Sequence, residues 1–157
     1  MFKYFLDIQK GNFVASEKNK VSNVDLKIED QGQIISLLGP SGIGKTTILR
    51  TLAGLQRLNS GQIFLKGKLI ASNNVHIEPE KRNIALSFQD NSLFPNYKVI
   101  DNINFGKKRS NGNGFSLDTK EIIELLHIDP ILNKFPHQIS AGEAQRVSIA
   151  RSLMSKP

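Results

Sequence analysis

One segment of the chain matches a phosphate-binding pattern at every required position. It reads Gly39-Pro40-Ser41-Gly42-Ile43-Gly44-Lys45-Thr46, which fits G-x-x-x-x-G-K-[ST]. In this pattern glycine lets backbone N–H groups turn inward around phosphates, the lysine reaches the β- and γ-phosphates, and the hydroxyl binds Mg²⁺. The segment therefore predicts a site for a nucleoside triphosphate with Mg²⁺, to which the next residue, Thr47, is expected to contribute.

The residues on both sides of this phosphate loop, residues 39–47, predict the strand and the helix that must hold it. Residues 34–38 form an apolar run of strand length, which we expect to be buried on both faces. From Lys45 to about Leu55, apolar residues recur with helical spacing. The loop should thus open a helix whose positive N-terminal end faces the bound anion.

Other segments have the residue pattern of strands. Apolar and polar residues alternate over residues 2–8 and 24–28, which predicts two half-buried strands of an antiparallel layer. Residues 60–70 read as a strand, a glycine turn and a returning strand. Residues 84–88 are mostly apolar, and we expect a buried core strand there.

The second half of the chain changes to helical spacing. Asp118 and Glu121 have the spacing of a capping box that starts a helix. A final helix is predicted from about Gly142, with small and apolar residues on one face: Ala144, Val147, Ala150 and Met154. Together these elements indicate an α/β domain that carries a helical insertion.

Composition limits the class of protein without identifying a partner. With 157 residues, of which 39% are hydrophobic, the chain is long enough for one core. Its net charge of +7 is dispersed along the sequence, so we expect no nucleic-acid surface. The chain has no cysteine, which excludes disulfides and fits a reducing compartment. No apolar run reaches the roughly 18 residues that span a bilayer.

Two later segments extend the pattern. Residues 86–95 read L-S-F-Q-D-N-S-L-F-P, and residues 139–151 read I-S-A-G-E-A-Q-R-V-S-I-A-R. Together with the phosphate loop, they make the chain strongly resemble the ATP-binding subunit of an ABC transporter. The resemblance implies that Gln89 is the Q-loop residue, which positions Mg²⁺ and the attacking water. It also implies that Phe13, in the loop between the first two strands, stacks on adenine.

By the same resemblance, the signature motif of the family, mostly L-S-G-G-Q, lies at the start of the final helix. Its residues, which in the family bind the γ-phosphate of ATP held by an opposing subunit, are here Ser140, Ala141, Gly142 and Glu143. Ala141 places a methyl group where backbone and phosphate come close. Ser140 and Glu143 also have the spacing of a capping box, and helix capping alone would explain that pair.

The resemblance further implies an α/β fold with a P-loop NTPase core, an N-terminal antiparallel β layer and a helical subdomain. The nucleotide-binding core and β layer would occupy residues 1–89, the mostly helical subdomain 90–139, and the signature segment and its helix 140–157. The family's Walker B aspartate, water-activating glutamate and switch histidine are not among these residues. We therefore expect a domain that is incomplete at its C-terminus, with an exposed apolar face on the last helix and no hydrolysis by this chain alone.

The expected function is binding and hydrolysis of ATP with Mg²⁺, coupled to import of a small ion. Similarity to importer subunits ranks ferric iron first and molybdate second. The expected partners are a membrane permease, a second ATP-binding subunit in a head-to-tail dimer and, indirectly, a substrate-binding protein. The subunit would lie peripherally at the cytoplasmic face of the membrane. Two alternatives stay open: a soluble ABC ATPase with no transport role, and a nucleotide-binding remnant without hydrolysis.

Overall fold

The computed structural model describes most of the chain, in these stretches: residues 3–16, 19–30, 32–88, 93–108 and 118–157. The chain forms two compact units, Met1–Ile84 and Ala85–Pro157, and each has its own apolar core. None of the helices in the described stretches is both long and apolar enough to cross a membrane. The three-part division expected from the sequence stays a prediction.

The N-terminal unit, Met1–Ile84, is built around a four-stranded antiparallel sheet. Along the chain its strands are β1 (Leu6–Ser16), β2 (Asn19–Ile28), β3 (Ser60–Leu65) and β4 (Lys68–Ser72). Their order across the sheet is β2-β1-β3-β4. The antiparallel layer expected from the alternating residues is therefore confirmed, although β1 begins later than predicted and extends to Ser16, and β3 and β4 form the predicted hairpin.

This sheet shares its core with the helix that follows the phosphate loop. Alternate residues of β1, Leu6 and Ile8, are buried in one apolar cluster with Ile63 of β3 and Ile48 of α1 (Lys45–Leu52). Burying an aliphatic side chain of this size contributes about 1.5–3 kcal/mol relative to leaving it exposed. The helix begins at the predicted residue and ends about one turn earlier than predicted.

The strand predicted before the phosphate loop is not formed. Residues 34–38 have no regular secondary structure, and Ile34 is 97% and Leu38 91% exposed. An extended run becomes a strand only when a neighbouring strand accepts and donates its backbone hydrogen bonds. Within the described residues, the sheet is complete as β2-β1-β3-β4 and does not pair with this run. The prediction of a strand buried on both faces is therefore wrong for this structure.

The predicted core strand at residues 84–88 is also absent. These residues have no regular structure and are exposed or half-buried in alternation. The division between the two units falls inside this run, between Ile84 and Ala85. An apolar sequence of strand length thus favours a strand, but pairing decides whether it forms, and no described strand pairs with this run.

We predict that the exposed run at residues 34–38 causes the 157-residue chain to self-associate. Exposed apolar side chains on an unpaired extended segment are a template for pairing with another copy. Ile34→Lys should lower the weight-average mass measured by static light scattering, because a charge on such an edge opposes pairing. Gln33→Lys is the matched control, since it adds the same charge and removes no apolar group. A wild-type chain that stays monomeric at tens of micromolar, or equal effects of both variants, would contradict this prediction.

The C-terminal unit, Ala85–Pro157, is helical. Its helices and turns are α2 (Val99–Lys108), α3 (Thr119–Leu125), α4 (Ala141–Met154) and short 3₁₀ turns at Asp129–Ile131 and Pro136–Gln138. The α4 face that we expected to be exposed is buried, since Val147, Ala150 and Met154 are at most 4% exposed. That expectation is wrong because α2 and α3 supply the apolar surface that covers this face.

Helices α2 and α4 cross closely at Gly106. A Cβ atom at this position would run into the carbonyl oxygen of Arg151 and would lie 3.1 Å from the Cβ atom of Met154. The absence of a side chain therefore lets the two backbones approach. This approach brings the apolar stripe of α2, with Val99 and Ile103, into the core shared with α4.

The start of α3 has the predicted capping box. The amide of Glu121 donates to Asp118 Oδ1 at 2.8 Å, and the amide of Asp118 donates to Glu121 Oε2 at 2.7 Å. Two N–H groups that the helix leaves without partners are satisfied in this way. The local signal in the sequence is therefore confirmed.

Candidate functional site

The phosphate loop enters α1 through a glycine in the left-handed region. Gly44 has φ 104° and ψ 12° and is the N-cap residue of the helix. Side chains strongly disfavour such backbone angles, and a Cβ atom here would also run into the Val21 side chain. The amide of Ile48 donates to the Gly44 carbonyl at 3.0 Å, which starts the helical ladder. The last glycine of the pattern is thus required by the backbone itself.

Lys45 folds back over the loop that precedes it. Its ammonium donates to the carbonyl of Gly39 at 2.7 Å and to the carbonyl of Pro40 at 2.8 Å. An ammonium has three N–H donors, so these two bonds leave one for a ligand oxygen. The loop therefore holds a positive charge at its own mouth, where the pattern places the β- and γ-phosphates.

The start of α1 has the features of an anion site. No side chain caps Gly44, and no acidic residue lies in the first turn. The first N–H groups and the positive end of the helix dipole can therefore face a bound anion. Thr46 is exposed in this turn, where its hydroxyl can reach a ligand. The Thr47 side chain is only 6% exposed, so its backbone amide is better placed than its hydroxyl to meet a phosphate.

The C-terminal end of α1 is held by Arg82, which is only 2% exposed. Its Nη1 donates to the carbonyls of Thr51 at 2.7 Å and Leu52 at 2.9 Å. Its Nε donates to the carbonyl of Ile77 at 2.6 Å. Burial lowers the pKa of the guanidinium, and the nearby Glu78 carboxylate opposes this effect. A cation at the last carbonyls of a helix complements the helix dipole, so Arg82 fixes the helix that carries the phosphate loop.

In the C-terminal unit, α4 starts with the predicted capping box. The amide and the hydroxyl of Ser140 donate to the Glu143 carboxylate, each at 2.7 Å. The Glu143 amide donates to Ser140 Oγ at 3.3 Å. Hydrogen bonds from the backbone and then the side chain of Ser140 lower the pKa of the Glu143 carboxyl. Ala141 and Gly142 are exposed at this helix start. The cap is confirmed, whereas phosphate binding by these residues stays a prediction.

Gln89 and Phe13 are the two predicted site residues that remain, and the structure tests only the second of them. Gln89 lies outside the described residues, so its role stays a prediction. Phe13 does not lie in a loop, because β1 continues past it to Ser16 and pairs it with Val21 of β2. The Phe13 side chain is 0% exposed and belongs to the apolar core. Its predicted loop position is therefore wrong, and in this structure the buried ring offers no face for stacking on a base.

Comparison with protein families identifies the chain. The family described as ABC transporter matches residues 21–157, a span that contains both the phosphate loop and the capped start of α4. The chain belongs to the ABC transporter family. All three sequence segments that carried the resemblance, the phosphate loop and residues 86–95 and 139–151, lie inside the matched span, so the family predicted from them is confirmed.

Curated relatives within the ABC family are ATP-binding proteins of import systems. The chain is 42% identical to a spermidine/putrescine import ATP-binding protein of Nitrosospira multiformis, over 87% of this chain. It is 38% identical to a molybdenum import ATP-binding protein of Saccharophagus degradans, over 92% of this chain. It is 34% identical to an Fe(3+) ions import ATP-binding protein of Haemophilus influenzae, over 97% of this chain. The chain spans 37%, 40% and 44% of the length of these relatives, respectively.

Solved structures of ABC ATP-binding proteins have the same fold. The cbiO1 protein of Clostridium perfringens, described as part of the ABC transporter complex cbiONQ, matches with a TM-score of 0.77 and 25% identity. That match covers 99% of this chain and 63% of cbiO1. A dimeric ATP-binding cassette in a post-hydrolysis state with ADP and Pi matches with a TM-score of 0.75 and 22% identity, over 97% of this chain and 70% of its own. The P-loop NTPase fold expected from the sequence is therefore confirmed.

Two buried polar residues, Arg82 and Asn102, were not among the predicted site residues. Asn102 lies on the apolar stripe of α2 and is 0% exposed. A polar residue at helical spacing between Val99 and Ile103 is a sequence signal for a buried hydrogen-bonding role. Arg82 gives no comparable signal, because a single arginine after the Pro79–Lys81 turn looks like an ordinary surface charge.

Proposed function

We propose that this chain binds ATP as part of the ATP-binding subunit of an import system, and that the whole subunit hydrolyses ATP to drive transport. The observation that supports this most directly is the phosphate loop, where the Lys45 ammonium lies at the loop mouth beside the uncapped start of α1. This arrangement supplies a cation and free N–H donors to a triphosphate. Membership in the ABC transporter family supports ATP as the triphosphate.

The reaction would be in-line attack of water on the γ-phosphate, catalysed by positioning and electrostatic stabilisation. Lys45 would neutralise charge on the β- and γ-phosphates, while the α1 amides would orient them. The exposed Thr46 hydroxyl fits Mg²⁺, and Gln89 would complete that site and position the water. When bound, Mg²⁺ would offset the charge that develops on the transferred phosphoryl group.

A second copy of the subunit would supply the start of its α4 to the same ATP. Ser140, Ala141 and Gly142 are exposed there, and the helix N-terminus favours an anion. In the structure the Ser140 hydroxyl donates to the Glu143 carboxylate. Binding of a γ-phosphate by Ser140 would therefore require the hydroxyl to leave Glu143, whose negative charge would also oppose the phosphate.

The imported solute is proposed to be a small ion, with ferric iron first and molybdate second. Relatives named for Fe(3+) ions and for molybdenum support this class, while another is named for spermidine and putrescine. Selection of the solute would lie with the permease and a substrate-binding protein. The subunit itself would lie at the cytoplasmic face of the membrane, held there by the permease.

We propose that the permease docks on residues 89–97 and on the helical region before Ser140; the turn before α2 is in the described part of that surface. Phe94 and Tyr97 are 37% and 46% exposed there, and Pro95 and Asn96 between them are exposed as well. Leu93 is half-buried against the core of the C-terminal unit, so it attaches the start of the turn to that core. An apolar pair flanked by polar residues is suited to the apolar face of a short permease helix.

A cysteine placed at Asn96 should crosslink to the membrane subunit in the assembled transporter, because Asn96 lies between the two exposed aromatic residues. Ser92 is a second position for the cysteine and lies outside the described residues. Lys120→Cys is the control, since the Lys120 side chain is 83% exposed on α3. Crosslinking by mass spectrometry from Asn96→Cys no stronger than from Lys120→Cys would contradict docking at this turn. Failure to co-purify with any permease would instead favour an ABC ATPase without a transport role.

A further inference from the structure

Asn102 connects the docking turn, residues 94–98, to the body of α2. Its side chain is fully buried. Its Oδ1 accepts the Phe94 amide at 2.9 Å. The two N–H groups of its Nδ2 are shared among the carbonyls of Phe94 at 3.2 Å, Tyr97 at 3.1 Å and Lys98 at 3.2 Å. One side chain thus serves both backbone groups of Phe94 and the carbonyl of Tyr97, the two residues whose rings are exposed.

Other contacts among the described residues also hold the turn. Its own backbone contributes a bond from the Tyr97 amide to the Phe94 carbonyl at 3.1 Å. The Phe94 ring makes an edge contact with the Phe105 ring, with 4.6 Å between the ring centroids. The Arg151 guanidinium lies over the Phe94 ring, 5.3 Å from its centroid. These ring contacts depend on where the Phe94 backbone lies, and Asn102 is hydrogen-bonded to both polar groups of that backbone.

We propose that Asn102 is a positioning residue for permease docking: it fixes the turn so that Phe94 and Tyr97 are presented as a preorganised aromatic pair. This inference rests on the proposed docking of the permease at this turn. Large aromatic side chains are effective anchors when they are already ordered, because association then does not have to order them. Without Asn102, Phe94 and Tyr97 would still be present, but the backbone of the turn would no longer hold their rings in the arrangement that binds the permease.

The test is a double-mutant cycle on affinity for the purified permease in detergent or nanodiscs. Asn102→Ala should weaken binding on the order of tenfold, and Phe94→Ala should weaken it at least as much. In a background that carries both Phe94→Ala and Tyr97→Ala, Asn102→Ala should have little further effect, because both rings that it positions are gone. Ile122→Val is the structural control: it trims the same core without touching the turn, and it should leave permease affinity unchanged.

The outcomes separate the two proposals. If Phe94→Ala and Tyr97→Ala both bind the permease like wild type, docking at this turn is wrong and the role of Asn102 with it. If those variants lose affinity while Asn102→Ala does not, or if Asn102→Ala weakens binding equally with and without the two rings, docking stands and the positioning role is wrong. Asn102→Ser supplies an uncharged hydroxyl that can donate and accept, so it should fall between wild type and Asn102→Ala, and circular dichroism shows whether each variant keeps its fold.

Discussion

Replacing Lys45 with alanine is expected to weaken Mg-ATP binding by at least about 100-fold, which corresponds to about 3 kcal/mol. The ammonium lies 2.7 and 2.8 Å from the carbonyls of Gly39 and Pro40. Without it, those carbonyls would face the phosphates with no cation between them. Isothermal titration calorimetry on the purified variant measures the loss directly.

Two controls sharpen the Lys45 experiment. Lys68→Ala removes an exposed lysine at the start of β4, away from the loop in sequence, and should leave the affinity within twofold of wild type. Circular dichroism should show that Lys45→Ala keeps its fold, because the Lys45 side chain is only half-buried. Unchanged ATP affinity in Lys45→Ala would contradict the assignment of the phosphate loop.

Replacing Arg82 with methionine is expected to lower the free energy of unfolding by about 3 kcal/mol. The carbonyls of Thr51, Leu52 and Ile77 would lose their donor, and burial would keep water from replacing it. Arg82→Lys should cost roughly half as much, because lysine keeps the charge but lacks the planar fork that reaches three carbonyls. Denaturant unfolding with a linear extrapolation measures both losses.

Lys81 provides the matched control for Arg82. It is the neighbouring cation and is exposed, so Lys81→Ala should change the unfolding free energy by less than about 0.5 kcal/mol. If Arg82→Met also changed the unfolding free energy by less than about 0.5 kcal/mol, the buried guanidinium would not stabilise the fold.

Arg82→Met should also bind Mg-ATP more weakly than Lys81→Ala, since α1 carries the phosphate loop at its other end.

Local sequence signals predicted the elements that depend on a few adjacent residues. The capping boxes at Asp118 and at Ser140 formed as expected, because each needs only residues three positions apart. The start of α1 followed from Gly44 and the helical spacing after it. In contrast, the apolar runs at 34–38 and 84–88 did not become strands, because strand formation depends on a partner that local pattern cannot supply.

The residues of the candidate site could likewise be predicted where they are adjacent in the sequence, but not where their contacts depend on the fold. The phosphate loop is contiguous in sequence, so its residues could be assigned before the fold was known. Phe13 could not be placed correctly, because its burial follows from the length of β1 and its pairing with β2. Arg82 and Asn102 contact backbone carbonyls that are distant or in a preceding turn. Unlike the capping boxes, these contacts have no fixed residue spacing, although the apolar surroundings of Asn102 are a signal that its side chain is buried.

Hydrogen–deuterium exchange of the protein with and without Mg-ATP tests the central claim most directly. Peptides that cover residues 39–47 should exchange more slowly with saturating nucleotide, because the loop amides would donate to phosphates. Peptides from β4 should not change, and Lys45→Ala should lose the protection of the loop. Binding detected by calorimetry with no protection at residues 39–47 would contradict the account, since the nucleotide would then occupy a different site.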